Sequence, residues 1–307
     1  MKARYYFLSV LVLGTWLLPI NLSLAAGARD SLAQVVRLLG YGAGIHHFKN
    51  YVLRGKQVYH SAALDKFTQV LEILAGLENR EEMNDNDQQA LSDVKSVMEA
   101  YSSTLGRLAG LRARGWRTKD IDRTVLIDDA SAKLGLDVLR EKWIWSDFEE
   151  MEFQLGYGKA IHNFKNYLLR GYERYYVAAL ENLLTANALI ARQLDLPQLR
   201  DPRDGAEAAL DPPDTVNRED QTGDAQALQN MKDRLRRDRS ALEALARVVR
   251  AYRENLTLVR ELIAVQHSAQ QIDRAILIYD VPAKAGLYRL RQAEAYLFQP
   301  ATAGFED

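Results

Sequence analysis

The stretch GYGAGIHHFKNYVLRG, residues 40–55, recurs as GYGKAIHNFKNYLLRG at residues 156–171. The two copies lie 156 − 40 = 116 residues apart. Over the aligned ranges 40–64 and 156–180, 16 of 25 letters are identical. Self-similarity at such a long period is typical of a duplicated structural unit. The chain is therefore predicted to contain the same fold twice.

A second pair of segments supports the duplication. IDRTVLIDDASAKLGLDVLR (residues 121–140) and IDRAILIYDVPAKAGLYRLR (residues 272–291) share 12 of 20 letters, at an offset of 272 − 121 = 151 residues. The offset exceeds that of the first pair by 151 − 116 = 35 residues, which matches a polar stretch from Leu194 to Asp224. This stretch is rich in Pro, Asp, Gly and Arg, so it is predicted to be a flexible insertion that the fold does not need.

Apolar letters recur at helical spacing through most of the chain. In the first unit they predict one long amphipathic helix over residues 30–77 and a second helix over residues 88–114 that Gly115 ends. A third helical region is predicted over residues 121–145, with a kink at Asp128 and Asp129 as an open alternative to a continuous helix. The second unit repeats this order, and strand signals are close to absent. The sequence therefore predicts an all-α fold.

The repeat also sets the predicted domain organisation. Two tandem helical-bundle modules, each of about three long antiparallel helices, are expected at residues 27–150 and 151–297. The second module would carry the insertion at 194–224, and residues 298–307 would form a C-terminal tail.

Residues 1–26 have the features of an export signal. Lys2 and Arg4 precede an apolar run over residues 7–18, and the stretch from Ser23 to Ala25 offers the small residues that a signal peptidase needs. An uncleaved membrane anchor is the alternative, because the apolar run nearly reaches the ~20 residues of a spanning helix. Pro19 and the small residues favour cleavage. We therefore expect a periplasmic protein.

Charge and cysteine content limit the function classes. The 40 Lys and Arg residues nearly balance the 41 Asp and Glu residues, so no basic excess attracts the chain to nucleic acid. The absence of cysteine excludes disulfides, a lipid-anchoring cysteine and covalent haem attachment. We predict no nucleic-acid partner and no cofactor.

Patterns for metal binding and catalysis are also missing. None of the five histidines stands three residues after a glutamate, as di-iron bundles require, and no H-E-x-x-H occurs. No serine sits in a nucleophile elbow. The glycine pairs at 40 and 42 and at 156 and 158 have helical pattern on both sides, which favours a kink or a close helix approach over a phosphate-binding loop. We predict a non-enzymatic protein without a metal site.

The polar letters of the doubled motif fall on one stripe of the predicted helix. The middle helices of the two units have diverged, whereas these letters have not, so a freely solvated face is the weakest of three explanations. The stripe is expected either to pair with acidic residues in a buried network or to contact a small anionic ligand, such as a carboxylate or a phosphate. The candidate residues are His46, Lys49, Asn50, Arg54, His162, Lys165, Asn166 and Arg170 in the stripe, and Asp122, Asp129, Asp273 and Asp280 in the acidic segments.

Two protein families share parts of this pattern. HHFKNYVL resembles the phospho-acceptor helix of sensor histidine kinases, which would make His46 or His162 a phosphorylation site. No ATP-binding domain is recognisable, however, and the chain is expected to be exported. The motif GYG-x-x-IH-x-FKNY-x-LRG, followed by ID-x-x-V-x-x-DD-x-x-A, resembles extracytoplasmic helical sensor regions of bacterial transmembrane receptors, including some chemoreceptors and diguanylate cyclases. The second copy departs from this pattern at Tyr279, where the first has Asp128.

The second resemblance covers about a quarter of the chain. It implies a sensory or ligand-binding protein that relays a signal by contact with a membrane receptor or sensor protein. The receptors continue into a second spanning helix and an output domain, so this chain would correspond to a fused pair of their sensor modules. The alternative function is a structural scaffold for protein–protein interaction that has no small-molecule ligand.

Overall fold

The structure is a computed structural model that describes residues 27–195, 221–276 and 278–297, with side chains placed except at 221–228, 231 and 293–297. All regular secondary structure in these ranges is helical. The predicted all-α fold is confirmed. The predicted export signal, residues 196–220 of the predicted insertion and the predicted C-terminal tail lie outside the described residues.

Six helices lie in the first half of the described chain, and six more follow in the second half in the same order. The first half, residues 27–145, contains α1 (Ala28–Leu39), α2 (Gly44–Arg54), α3 (Gln57–Leu77), α4 (Asp85–Ala113), α5 (Thr118–Thr124) and α6 (Ala130–Glu141). The second half, residues 146–297, contains α7 (Asp147–Leu155), α8 (Ala160–Arg170), α9 (Glu173–Leu194), α10 (Gln221–Ala264), α11 (Ala269–Ala275) and α12 (Val281–Leu297).

The long helix predicted over residues 30–77 is divided into three helices. Residues 40–43 separate α1 from α2, and Gly42 has a φ of +77°, in the left-handed region that favours glycine. Gly55 ends α2 with a φ of +67°, and its N–H donates to the Tyr51 carbonyl. This is the usual glycine stop of an α-helix. Apolar periodicity runs through both breaks because α1, α2 and α3 all bury one face in the same core.

The third helical region, the module boundary and the insertion differ in detail from their predicted limits. Residues 125–129 interrupt the third helical region, where a kink was predicted at Asp128 and Asp129, so each half has six helices rather than about three long ones. The predicted module boundary at 150/151 falls inside α7, which starts after the N-cap Ser146, whose hydroxyl accepts from the Glu149 N–H. The predicted insertion is also shorter than its sequence limits, because α10 already begins at Gln221.

The two longest helices of each half form its frame. α1 and α2 pack on α3, and α6 packs on α4; in the second half α7 and α8 pack on α9, and α12 packs on α10. The buried apolar side chains of both halves join in one continuous core. The halves meet through equivalent short helices, α1 with α7, α2 with α8 and α5 with α11. The arrangement as two tandem modules stays a prediction.

None of the helices in the described ranges combines the length and the apolar character that crossing a lipid bilayer requires.

Candidate functional site

The halves approach closely at the glycines that precede the motif helices α2 and α8. A Cβ added at Gly156 would lie 3.2 Å from the Cα of Gly40, and one added at Gly40 would lie 3.6 Å from the Cα of Gly156. The close approach predicted from the glycine pairs is confirmed. It brings the two copies of the polar stripe together in the interior of the molecule.

Six of the eight residues of the polar stripe are buried. His46, Lys49 and Asn50 are only 7%, 3% and 3% exposed, and their equivalents in α8 are 2–5% exposed. A solvated face is therefore excluded for these six residues. Burying this many polar groups is costly unless they find partners, so their contacts decide what the cluster can do.

Each motif arginine pairs with an aspartate of the other half. Arg54 Nε and Nη2 donate to the two carboxylate oxygens of Asp273, at 2.7 and 3.1 Å. Arg170 donates in the same way to Asp122, at 2.9 and 3.2 Å. Because the contact and its converse both occur, the halves are related by an approximate two-fold rotation, whose axis we call the dyad.

The bidentate pair with Arg54 stabilises the charged form of Asp273. Burial opposes the ionisation of Asp273, yet the hydrogen bonds from Arg54 and the charge of Lys165 outweigh it and hold the pKa of Asp273 below its usual value. Both aspartates therefore serve as anchors between the halves.

The two motif lysines lie deeper and are less well paired. Lys165 Nζ is 3.5 Å from Asp273 Oδ1. Lys49 has no carboxylate within 4 Å among the described residues. Burial, reinforced by the charge of Arg170, lowers the pKa of Lys49 to about 8, and burial also lowers the pKa of Lys165. The cluster thus carries cations whose charge the protein compensates incompletely.

The two motif histidines are neutral. Burial, together with the neighbouring lysine charges, holds the pKa of His46 and of His162 well below the usual value. His162 Nδ1 accepts from the Gly158 N–H at 3.0 Å, so its Nε2 carries the hydrogen and faces Asp129 Oδ2 at 3.4 Å. His46 Nδ1 has no hydrogen-bond partner within the described part of the chain.

Three connected spaces lie in and beside the cluster. At the dyad, a cavity of about 10 Å³, lined by both motif lysines and both motif histidines, has room for about one water molecule. Next to it lies a cavity of about 270 Å³, here called the α2 cavity. An open groove of about 650 Å³, the entry groove, shares Arg54, Tyr59 and Asp273 with the α2 cavity and connects it to the surface. The polar lining of the α2 cavity comprises His46, His47, Asn50, Arg54, Tyr59, Lys165, Tyr252, Asp273, Asp280 and Lys284.

The charges that line the α2 cavity do not balance. Arg54, Lys165 and Lys284 face Asp273 and Asp280, which leaves an excess of 3 − 2 = 1 positive charge. Lys284 Nζ lies 2.7 Å from Asp280 Oδ2, and Asp273 serves Arg54, so Lys165 is the cation left with the weakest pairing. The arrangement is suited to bind a monoanion.

The structure brings all twelve predicted site residues into this one region. Asp129 receives the Lys133 ammonium at 2.5 Å and the Tyr101 hydroxyl at 3.2 Å, and Asp280 lines the α2 cavity. Their geometry accommodates both open alternatives, a buried network and a ligand site. The functional role of the twelve residues stays a prediction.

Several residues of the cluster escaped the sequence reasoning, although every one is identical in the two copies. Tyr101 packs edge-on against Phe48 of its own half at 4.8 Å and against Tyr157 of the other half at 6.4 Å between ring centroids. The signal was an Ala-Tyr pair that recurs 252 − 101 = 151 residues later in otherwise diverged helices. The overlooked pairs are Tyr41 and Tyr157, Tyr59 and Tyr175, Tyr101 and Tyr252, and Lys133 and Lys284.

Within the ranges that the structure describes, no three His, Asp or Glu side chains come together as a metal site would require. The expectation of a non-enzymatic protein without a metal stays a prediction.

No protein-family model matches the chain, and neither a curated protein nor a solved structure matches it. The resemblance of the doubled motif to the sensor regions of bacterial receptors therefore stays a prediction.

Proposed function

We propose that this protein is a non-enzymatic, exported ligand-binding protein that holds a small anion in the α2 cavity and relays its presence to a membrane partner. The observation that carries the proposal is the unbalanced positive charge of that cavity, whose most weakly paired cation, Lys165, is buried. Asp273 is paired with Arg54, and its carboxylate lies 3.5 Å from Lys165 Nζ. An anion that binds beside Lys165 would supply the negative charge that this ammonium group lacks. Charge-assisted hydrogen bonds of this kind are among the strong ones.

The uncharged polar atoms of the cavity refine the chemistry of the ligand. Asn50 Oδ1 and His46 Nδ1 are buried and have no hydrogen-bond partner in the described chain. The Asn50 oxygen is an acceptor, and a buried acceptor without a donor costs ~1–3 kcal/mol. A carboxylate that also bears a hydroxyl group would pair with the lysine and donate to the Asn50 oxygen.

Size and access agree with a small metabolite. The α2 cavity holds about 270 Å³, close to the lower limit of about 300 Å³ for ligand pockets. The entry groove reaches it past Arg54, a residue whose side chain is 36% exposed. A ligand of a few non-hydrogen atoms can enter by that route without separating the halves.

Signal relay and periplasmic location rest on the sequence. The doubled motif resembles receptor sensor regions, and residues 1–26 have the pattern of an export signal. The proposal follows these two features for the location of the protein and for its partner, a membrane receptor or sensor protein.

A pair of matched ligands tests the proposal. Thermal unfolding is measured with lactate, alanine, propionate and inorganic phosphate, because lactate and propionate differ only in the hydroxyl. A ligand at a hundred times its Kd stabilises the native state by about 2.7 kcal/mol. We expect lactate to raise the Tm more than propionate does, and more than alanine, whose ammonium group cancels the charge of its carboxylate.

Two lysine variants locate the effect. Lys165→Met removes the weakly paired cation. Lys119→Met is the control, because Lys119 is exposed and does not line the cavity. The ligand-induced rise in Tm should vanish in Lys165→Met and persist in Lys119→Met. A rise that survives Lys165→Met contradicts the proposed site.

One observation favours the structural scaffold as the second candidate function. The reciprocal pairs of Arg54 with Asp273 and of Arg170 with Asp122 already close the interface without a ligand. A protein whose Tm responds to none of these compounds would support this candidate.

A further inference from the structure

We propose that the chain has a second anion site, related to the α2 cavity by the dyad and built around α8, so that two equivalents of the same small anion bind per chain. The inference rests on the proposed function. We call the second location the α8 site; its polar residues are His162, Asn163, Asn166, Arg170, Tyr175, Lys49, Tyr101, Asp122, Asp129 and Lys133.

The lining residues of the α2 cavity are nearly all repeated at the α8 site. Shifting each of the 15 lining positions by 116 or 151 residues to its counterpart gives 11 identical residues. Three of the other four positions exchange one aliphatic side chain for another, such as Ile276 for Val125. The single polar exchange is His47 for Asn163. Helix packing alone would not require identical polar letters at both ends of a pseudo-symmetric interface.

The repeated residues also make the same contacts. The third nitrogen of each motif arginine donates to the following tyrosine, Arg54 to Tyr59 at 3.1 Å and Arg170 to Tyr175 at 3.0 Å. Lys133 pairs with Asp129 at 2.5 Å, as Lys284 pairs with Asp280. The two sites therefore share these arginine–tyrosine and lysine–aspartate contacts as well as their residues.

The α8 site also contains a buried amide oxygen without a partner, whereas its histidine differs from that of the α2 cavity, because His162 Nδ1 accepts from the Gly158 N–H. Asn166, which is 2% exposed, leaves its Oδ1 without a partner in the described chain, as Asn50 does. Lys49, Arg170 and Lys133 face Asp122 and Asp129, again an excess of 3 − 2 = 1 positive charge.

The charge of Lys49 is less well compensated than that of Lys165. Asp273 lies within 4 Å of Lys165 Nζ, whereas no carboxylate of the described chain lies within 4 Å of Lys49 Nζ. An anion at the α8 site would provide the missing charge. Each half thus contributes the arginine, asparagine and histidine of one site and the lysine of the other, which is why neither site is complete in a single half.

Bromide is the probe for both sites, because it is a monoanion with a strong anomalous X-ray signal. Crystals of the full chain are soaked in sodium bromide, and anomalous peaks are located. We expect two buried peaks, one between Asn50 and Lys165 and one between Asn166 and Lys49. Lys165→Met should lose only the first peak and Lys49→Met only the second.

The other outcomes separate the two proposals. A single peak in the α2 cavity overturns the second site and leaves the proposed function standing. One peak at the dyad, midway between Lys49 and Lys165, overturns the second site in favour of one shared anion. The absence of any buried peak in the wild-type protein contradicts both proposals, and this count does not depend on the folding of a variant.

Discussion

At the scale of single residues, the two reciprocal ion pairs differ in burial. The side chains of Arg170 and Asp122 are 14% and 7% exposed, whereas Arg54 is 36% exposed beside the entry groove. Removing one partner of a buried pair leaves an uncompensated charge and costs about 3–5 kcal/mol. Water reaches Arg54 and reduces that penalty.

We therefore expect Arg170→Ala to destabilise the protein by about 3–5 kcal/mol and Arg54→Ala by less than half as much. The free energy of unfolding is measured by urea denaturation. Asp122→Asn and Asp273→Asn are the matched controls, which should reproduce the order of the two arginine variants. Equal losses for Arg54→Ala and Arg170→Ala would show that burial does not govern these pairs.

The buried Lys49 predicts how stability depends on pH. Its pKa is about 8 in the folded protein, against 10.5 for an unperturbed lysine. Between these values the unfolded chain keeps a proton that the folded chain has released, so stability rises with pH. Below pH 8 both states are protonated, and the full cost of burying the charge is present, roughly 3 kcal/mol at 1.36 kcal/mol for each pH unit.

Lys49→Met should remove that dependence. In urea denaturation without added anion, we expect the variant to be more stable than wild type by up to roughly 3 kcal/mol at pH 7.5, and the difference to shrink by pH 10. Taking the difference cancels the titration of the buried tyrosines, which both proteins share. A stability difference that does not change with pH would contradict a buried, charged Lys49.

At the scale of elements, Gly156 controls how closely the segments before α2 and α8 approach. A Cβ there would lie 3.2 Å from both the Gly40 Cα and the Glu152 carbonyl oxygen, so backbone has to move. Gly156→Ala should cost about 1–3 kcal/mol. Gly106→Ala is the control, because Gly106 lies within α4 with no atom within 4 Å of its added Cβ. That change should stabilise by up to about 1 kcal/mol through helix propensity, and thermal denaturation distinguishes the two signs.

The same glycines mark what the sequence could and could not predict about the elements. Hydrophobic periodicity predicted helices correctly, because each one buries a single apolar face. It did not predict the breaks at residues 40–43 and at Gly55, because these depend on positive φ angles, which leave the apolar spacing unchanged. The sequence also could not predict which aspartate each motif arginine contacts. Arg54 has two aspartates in identical local sequence, Asp122 and Asp273, and only the tertiary arrangement selects the one in the other half.

At the scale of the whole molecule, the duplication has produced an interface in which each half contributes equivalent surfaces. Gly40 faces Gly156, and the arginine of each half reaches the aspartate of the other. An interface with two-fold symmetry is self-complementary, because every contact occurs twice with its members exchanged. The polar stripe of one half alone would expose apolar and unpaired polar surface that its own helices do not cover.

An isolated first half, residues 27–145, should therefore form a homodimer in which Arg54 of one copy pairs with Asp122 of the other. Analytical ultracentrifugation should give twice the mass of the fragment. The variant Arg54→Asp places two like charges at each contact and should shift the fragment to monomers or prevent folding, whereas Arg54→Asp combined with Asp122→Arg restores opposite charges and should restore the dimer. A folded wild-type monomer would show that the first half does not need this surface covered. A dimer that Arg54→Asp leaves intact would show that it associates through another face.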